Sequence, residues 1–322
     1  NPQGVRWDYN VVTNEERLAS LDIDIPYDEI TRRSYAKSLA YRKEMIERTR
    51  VHEVTSGYVV TNIQDTPVTT SGILDDFGAV KYDPDTFRGF NADTVLAVER
   101  DRRRIWRRGG DRPQHLDRYV YAGGETLREN VIVAHSGPAL RDTTISWSLR
   151  HGAGAHQMER GEISSGEISS GEVAPGEPTL AGTITASLPK VDVPASLRLD
   201  VELRAGGRWV TSNSFSVWLL PDTRIEWTRT IVADDRGLFA DDLEREGTEA
   251  IAWEHVPEAV RDAGPGRPLI VSRWDPALPE LARSGVPMIV MLAATTSPLT
   301  EEVPFFREAI PLVHEHPVLD PV

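Results

Sequence analysis

The sequence contains no cysteine. That single absence removes disulfides, thiolate nucleophiles and cysteine metal sites together. Nor is there an apolar run approaching the ~20 residues a membrane-spanning helix requires, so no crossing of a bilayer is expected. Basic charge is in deficit: 36 Lys and Arg stand against 50 Asp and Glu, a formal net charge of −14. A polyanionic nucleic acid is therefore excluded as the main partner, because neutralising phosphates takes a basic surface. No P-loop, G-x-G-x-x-G fingerprint or G-x-S-x-G elbow occurs, so no nucleotide or other cofactor is called for.

What remains is a chain of 322 residues, 39% hydrophobic and 27% charged. Such a composition is rich enough to bury cores, and the length suggests two or three domains. The first residue is Asn1, and the segment Asn1-Pro2-Gln3-Gly4 has neither the basic start nor the apolar centre of a signal peptide. The last residues, from His314 to Val322, close no helix or strand pattern. The ends are read as those of a piece of a longer polypeptide, soluble, with the cytoplasm favoured over secretion.

Pro26 opens a helical pattern. Tyr27, Ile30, Ser34, Lys37, Leu39, Tyr41, Met45 and Ile46 roughly follow a three-to-four spacing, and the pattern fades at Thr49-Arg50. The β-branched run 56–63 then predicts a strand buried on both faces. It is followed by polar Gln64-Asp65-Thr66-Pro67. A helix followed by a buried strand is one α/β step, and in parallel α/β folds ligands sit at the carboxyl ends of strands. That places Asn62, Gln64 and Asp65 where substrate contact is expected. A short helix is predicted within 84–92.

From Thr94 the pattern turns to strands, at 95–98 and 104–106. Arg102, Arg103, Arg104, Arg107 and Arg108 form a basic island, read as a solvated hairpin or inter-domain ion pairs in preference to the alternative, an anion-binding patch. Strands are predicted at 117–121, 126–134, 143–149, 179–186, 196–203 and 208–219, separated by Gly123-Gly124, Gly137-Pro138 and Gly206-Gly207. This spacing suggests an antiparallel sandwich of immunoglobulin type. Trp147 and Trp218 are expected to be core or interface aromatics, not sugar-stacking ones. The repeat Gly161-Glu162-Ile163-Ser164-Ser165, Gly166-Glu167-Ile168-Ser169-Ser170 is too short for a solenoid. It is read as an exposed duplicated hairpin or loop. After Pro221, buried strands at 231–233, 269–272 and 286–292 with a helix at 276–284 predict a parallel α/β segment.

The stretches 57–65 and 72–78, reading Gly57-Tyr58-Val59-Val60-Thr61-Asn62-Ile63-Gln64-Asp65 and Gly72-Ile73-Leu74-Asp75-Asp76-Phe77-Gly78, carry a family resemblance. They resemble the last barrel strand and following loop of family-2 glycoside hydrolases, the β-galactosidase and β-glucuronidase relatives. The sandwich ending in Asn213-Ser214-Phe215-Ser216-Val217-Trp218-Leu219-Leu220-Pro221 looks like the immunoglobulin-like domain that follows the barrel there. The last segment is similar to an amidotransferase-like domain, though without cysteine it cannot hydrolyse glutamine.

The resemblance implies a multidomain fold. Residues 1–93 would be the end of a (β/α)8 barrel, 94–221 an immunoglobulin-like β-sandwich, and 222–322 a partial α/β domain. It implies retaining hydrolysis of a terminal β-linked sugar by two glutamates about 5 Å apart. Both would fall outside this chain, since the recognisable barrel begins only near its seventh strand; Glu15, Glu16, Glu29 and Glu53 do not fit the role. No catalytic residue is assigned, and the chain alone is expected to be inactive.

Where lactose-cleaving members carry a tryptophan, this chain has Asn62, which weakens a galactose assignment. Gln64 and Asp65 would hydrogen-bond sugar hydroxyls, and Trp7 and Tyr9 would stack on a sugar face. The expected partner is a carbohydrate, with no nucleic acid and no membrane; a homo-oligomer is compatible. No metal is expected. Asp75-Asp76 and Asp234-Asp235 read as solvated turns, and His314-x-His316 lacks a third ligand. The rival from another class is a non-catalytic carbohydrate-binding or assembly module, resting on the sandwich with Trp147, Trp209 and Trp218.

Overall fold

The computed structural model describes residues 25–52, 57–66, 69–100, 119–151, 162–221, 225–264 and 266–291, with residues 16, 19 and 55. Trp7, Tyr9, the arginine island, the strand predicted at 104–106 and the His314–His316 pair lie outside the described residues. Contacts divide the chain into two compact units between Asp222 and Thr223.

The first unit begins with helix α1 (Tyr27–Arg50), entered from Pro26. Asp28 and Glu29 lie in its first turn and Arg48 and Arg50 in its last, both favourable with respect to the helix dipole. Helix α2 (Pro84–Phe90) starts on proline, and its N-cap Asp83 accepts the Thr86 N–H at 2.8 Å and the Thr86 hydroxyl at 2.7 Å. The strand expected over 56–63 is not formed at its described residues, 57–63. That stretch is irregular and turned outward: Val59 is 91% and Ile63 68% exposed. Its β-branched composition suits a strand, but among the described residues no neighbouring strand supplies the ladder partners a strand needs. Among the described residues before Thr94 there are helices and isolated bridges, and no barrel strand.

From Thr94 the unit is all β. Strands β1 (Thr94–Arg100), β3 (Thr126–His135) and β6 (Thr179–Ser187) form one antiparallel sheet in the order β1-β3-β6. The other sheet has the order β2-β8-β7-β4-β5. It comprises β2 (Val120–Ala122), β4 (Leu140–His151), β5 (Glu162–Val173), β7 (Ala195–Ala205) and β8 (Arg208–Leu220). Only β2 runs parallel to its neighbour, β8. Period-2 alternation does the folding. Leu197, Leu199, Val201 and Leu203 of β7 meet Ile145, Trp147 and Leu149 of β4 and Phe215, Val217 and Leu219 of β8. All face Leu96, Leu127, Val131, Val133 and Ile184 of the opposite sheet in one continuous core. Each fully buried leucine contributes about 1.5–3 kcal/mol. The opposite side of β1 and β3 is also covered: Val95, Ala97, Ile132 and Ala134 are buried, and α1 and α2 both lie against β1.

The five-residue repeat is one edge strand, β5, not a hairpin. An odd repeat in a strand should send Ile163 and Ile168 to opposite faces. A bulge prevents this: Ser164 pairs with Leu149 and Glu162 with Arg150, leaving Ile163 unpaired. Both isoleucines therefore pack on the core. Gly166, opening the second copy, sits under the Trp147 indole, where a Cβ would come within 2.8 Å of its Nε1.

The second unit contains a parallel sheet in the order β9 (Ile231–Ala233), β10 (Leu269–Val271), β11 (Met288–Val290). Helices α3 (Ala240–Arg245) and α4 (Val256–Ala263) lie between β9 and β10 in sequence, and α5 (Leu278–Arg283) between β10 and β11. The sheet is covered on both sides. Ile231, Ala233, Leu269 and Val271 pack with Val256 and Leu278, while Val232 and Ile270 pack with Trp227 and Leu243. The parallel α/β pattern read from the sequence is present here. The coarse fold is thus mostly β and multi-sheet with few helices.

Candidate functional site

The carboxyl-terminal residues of the stretch that carries the resemblance form a small braced loop against α1. Its frame is backbone: Gln64 bridges Leu74, Leu74 bridges Val80, and Asp65 N–H donates to Leu74 O at 3.0 Å. Asp65 lies at the centre. Its Oδ1 accepts the Gly72 N–H at 2.7 Å, and its Oδ2 is paired with the Lys81 ammonium. Both side chains are buried, at 6% and 2% exposure. Lys81 also donates to Thr70 O at 3.1 Å and lies 5.3 Å from the Tyr35 ring centroid. Glycine at position 72 is required by space: a Cβ would meet Asp65 N and Gln64 C at 2.6 Å.

Helix α1 supplies the wall. Ser38 and Arg42 both reach the Tyr82 hydroxyl, at 2.9 and 3.3 Å, and Arg42 also binds Ser71 O. Tyr35 meets Tyr82 edge-on with centroids 6.3 Å apart. Burial, followed by the negative charge of Asp65 and Asp75, holds the Tyr35 phenol above its ordinary pKa.

Two of the expected sugar contacts stand at the rim. Asn62 is half-buried with a positive φ of 61°, and its amide donates to Ser71 Oγ at 3.1 Å. Asparagine tolerates that backbone conformation better than most residues. Gln64 is exposed, and its amide donates to Asp76 O at 3.0 Å. Asp65, by contrast, faces inward and serves as the brace. The structure therefore brings Asn62, Gln64 and Asp65 onto one loop, with two outward and one inward. The bracing roles of Lys81 and Gly72 had no signal in the sequence: a lysine sixteen positions away does not announce its carboxylate.

Chemically, the loop presents hydrogen-bonding groups at its rim. Asp65 is neutralised by Lys81, and Asp75 Oδ1 accepts the N–H groups of Phe77 and Ala79 at 2.9 and 2.8 Å as a turn. Among the described residues no group of three His, Cys, Asp or Glu is placed to hold a metal ion. Among them, too, no helix is long and apolar enough to cross a membrane.

A family described as Domain of unknown function (DUF8488) matches residues 125–221, the bulk of the sandwich. No curated protein matches the chain. The sporulation control protein Spo0M of Bacillus subtilis is similar at 16% identity over 40% of this chain and 50% of that one, with a TM-score of 0.26. A putative β-galactosidase of Bacteroides fragilis is similar at 12% identity over 52% of this chain and 26% of that one, TM-score 0.25. A β-glucuronidase of Bacteroides uniformis stands at 12%, 52% and 21%, TM-score 0.24. The chain thus spans half or less of each of these structures. Weak structural neighbours include glycosidases, and scores of this size establish no shared fold.

Proposed function

We propose that this chain is the carboxyl-terminal part of a retaining glycoside hydrolase related to family 2, acting on a terminal β-linked sugar. In this reading 1–93 ends a (β/α)8 barrel, 94–221 is its immunoglobulin-like neighbour and 222–322 an amidotransferase-like segment. Both catalytic glutamates belong to barrel strands outside the chain. The observation that supports it is the braced loop. The Asp65–Lys81 pair and Gly72 hold a rigid turn whose rim presents the amides of Asn62 and Gln64, groups suited to sugar hydroxyls. Trp7 and Tyr9 are proposed to supply the stacking face of the same sugar site. A second reading, a non-catalytic carbohydrate-binding or assembly module, rests on the sandwich with Trp147, Trp209 and Trp218, of which Trp209 and Trp218 are exposed.

The test is saturation-transfer NMR of the chain against glucuronic acid, galactose and glucose, with Asn62→Ala and Gln64→Ala beside the parent. Binding of one sugar that weakens in both variants is expected, together with no turnover of aryl β-glycosides. Turnover that disappears when an internal glutamate is changed would overturn the placement of the glutamates. No binding of any of the three sugars would overturn the site.

A further inference from the structure

The outward face of the five-stranded sheet carries two exposed indoles, Trp209 and Trp218. Strand β8 turns Ser212, Ser214, Ser216 and Trp218 away from the core, since Asn213, Phe215, Val217 and Leu219 point inward. A bulge between Leu203 and Arg204 leaves Val210 unpaired and packed on the core, so Trp209, paired with exposed Arg204, returns to the outward face. The two indoles are 59% and 39% exposed. They stand at opposite ends of one strand; their partners Arg204 and Ser196 are eight residues apart on β7, which at about 3.3 Å per residue is roughly 26 Å.

Between them lies a strip of hydroxyls. Ser214 is opposite Asp200 and Ser212 opposite Glu202 on β7; Ser148 and Ser146 continue the same two rows on β4. The charges on the face are paired among themselves. Arg198 binds Asp200 at 2.7 Å and Ser214 Oγ at 2.8 Å, and Arg204 binds Glu202 at 2.7 Å. Arg150 and Glu167 add one further charge of each sign. On this face of a chain of net charge −14, the three arginines Arg150, Arg198 and Arg204 thus stand with the three carboxylates Glu167, Asp200 and Glu202.

We infer that this face binds a neutral, extended polysaccharide, with Trp209 and Trp218 stacking on sugar rings at the two ends of a serine-lined track. Indoles stack on the apolar C–H faces of sugar rings while the hydroxyl rows meet the sugar edges. A neutral ligand follows from the balanced charge: a polyanion would find no net positive potential here, and a polycation no net negative one. The length between the indoles suits a chain of several sugar units and not a monosaccharide. The inference does not rest on the loop at Asn62 and Gln64.

The experiment is native gel electrophoresis of the chain in gels containing hydroxyethylcellulose, xyloglucan or galactomannan, with polygalacturonate as the charged control. Retardation by at least one neutral polymer is expected, insensitive to added salt. Trp218→Ala should weaken it about tenfold, and Trp209→Ala with Trp218→Ala should abolish it. Ser216→Arg, which places bulk and charge on the track, should weaken it as well. Asn62→Ala should leave it unchanged, which separates this site from the loop. The inference is overturned by no retardation in any neutral polymer, or by retardation that survives the double tryptophan variant. Light scattering in which Trp218→Ala turns a dimer into a monomer, without polymer retardation, overturns it too, since the face is then a self-interface.

Discussion

Replacing Lys43 by methionine tests the packing of α1 against the sandwich. Glu47 is 4% exposed and projects from α1 toward β8 and β1. Its Oε1 is paired with Lys43 and accepts from Asn213 Nδ2 at 2.6 Å; Asn213 Nδ2 also donates to Leu96 O at 2.7 Å. The Lys43 ammonium in turn donates to Asn213 Oδ1 at 2.8 Å and sits 4.2 Å from the Phe215 ring centroid. Burial pushes the Glu47 carboxyl above and the Lys43 ammonium below their ordinary pKa values, and each partner's charge opposes that shift. Lys43→Met leaves the carboxylate buried with one amide for company. Removing one member of a buried pair costs about 3–5 kcal/mol. At an m-value of about 2 kcal/mol per molar urea, the unfolding midpoint should fall by roughly 2 M.

Two controls sharpen the test. Lys43→Met combined with Glu47→Met removes both charges, and such replacements are often neutral or stabilising, so the double variant should recover to within about 1 kcal/mol of the parent. The pH dependence has a defined sign. Without Lys43 the folded-state pKa of Glu47 rises further above its unfolded value. The folded form then binds the proton more tightly, so the deficit is full above the raised folded-state pKa and shrinks as pH falls through it toward the ordinary glutamate value. A loss below about 1 kcal/mol, or a deficit independent of pH, would show that charge burial is not what Lys43 relieves.

Lys81→Met should behave similarly on the braced loop, costing about 3–5 kcal/mol by urea titration, because Asp65 is left buried without its partner. Gly72→Ala drives a Cβ into backbone at 2.6 Å; a loss of about 1–3 kcal/mol and altered Asn62 and Gln64 amide resonances are expected. Gly166→Ala displaces the Trp147 ring and should lower the melting temperature while changing the near-ultraviolet circular dichroism of the sandwich. The Asp83 carboxyl is held below its usual pKa by the Thr86 hydroxyl and N–H. A depressed folded pKa means its stabilisation is present above the unfolded pKa and lost as pH falls through the folded value. Asp83→Ala should therefore be less stable than the parent near neutrality, and the difference should vanish in acid, as thermal melts at stepped pH will show.

Local periodicity made much of the fold readable in advance. The α1 pattern, the two proline-started helices, the alternation of β7 and β8 and the apolar runs of the parallel sheet each state their own element, because each buries a face defined by spacing alone. The site was less legible. The outward rim residues Asn62 and Gln64 could be picked from their place after an apolar run, although that run is no strand. The inward role of Asp65 could not, since it depends on Lys81 and Gly72 arriving from the far side of a turn.

The sequence by itself determined that the chain has no thiol chemistry, carries a strong negative charge, and alternates into strands from Thr94 to Pro221. Those properties are local or additive, so no folding is needed to read them. Tertiary structure alone decided that 57–63 is not a strand, that two isoleucines five apart share one face, and that Trp209 and Trp218 point outward together. Each depends on a partner distant in sequence: a missing ladder neighbour, or a bulge set by the register of the next strand. Period-2 reading follows one strand at a time, whereas facing is settled between strands.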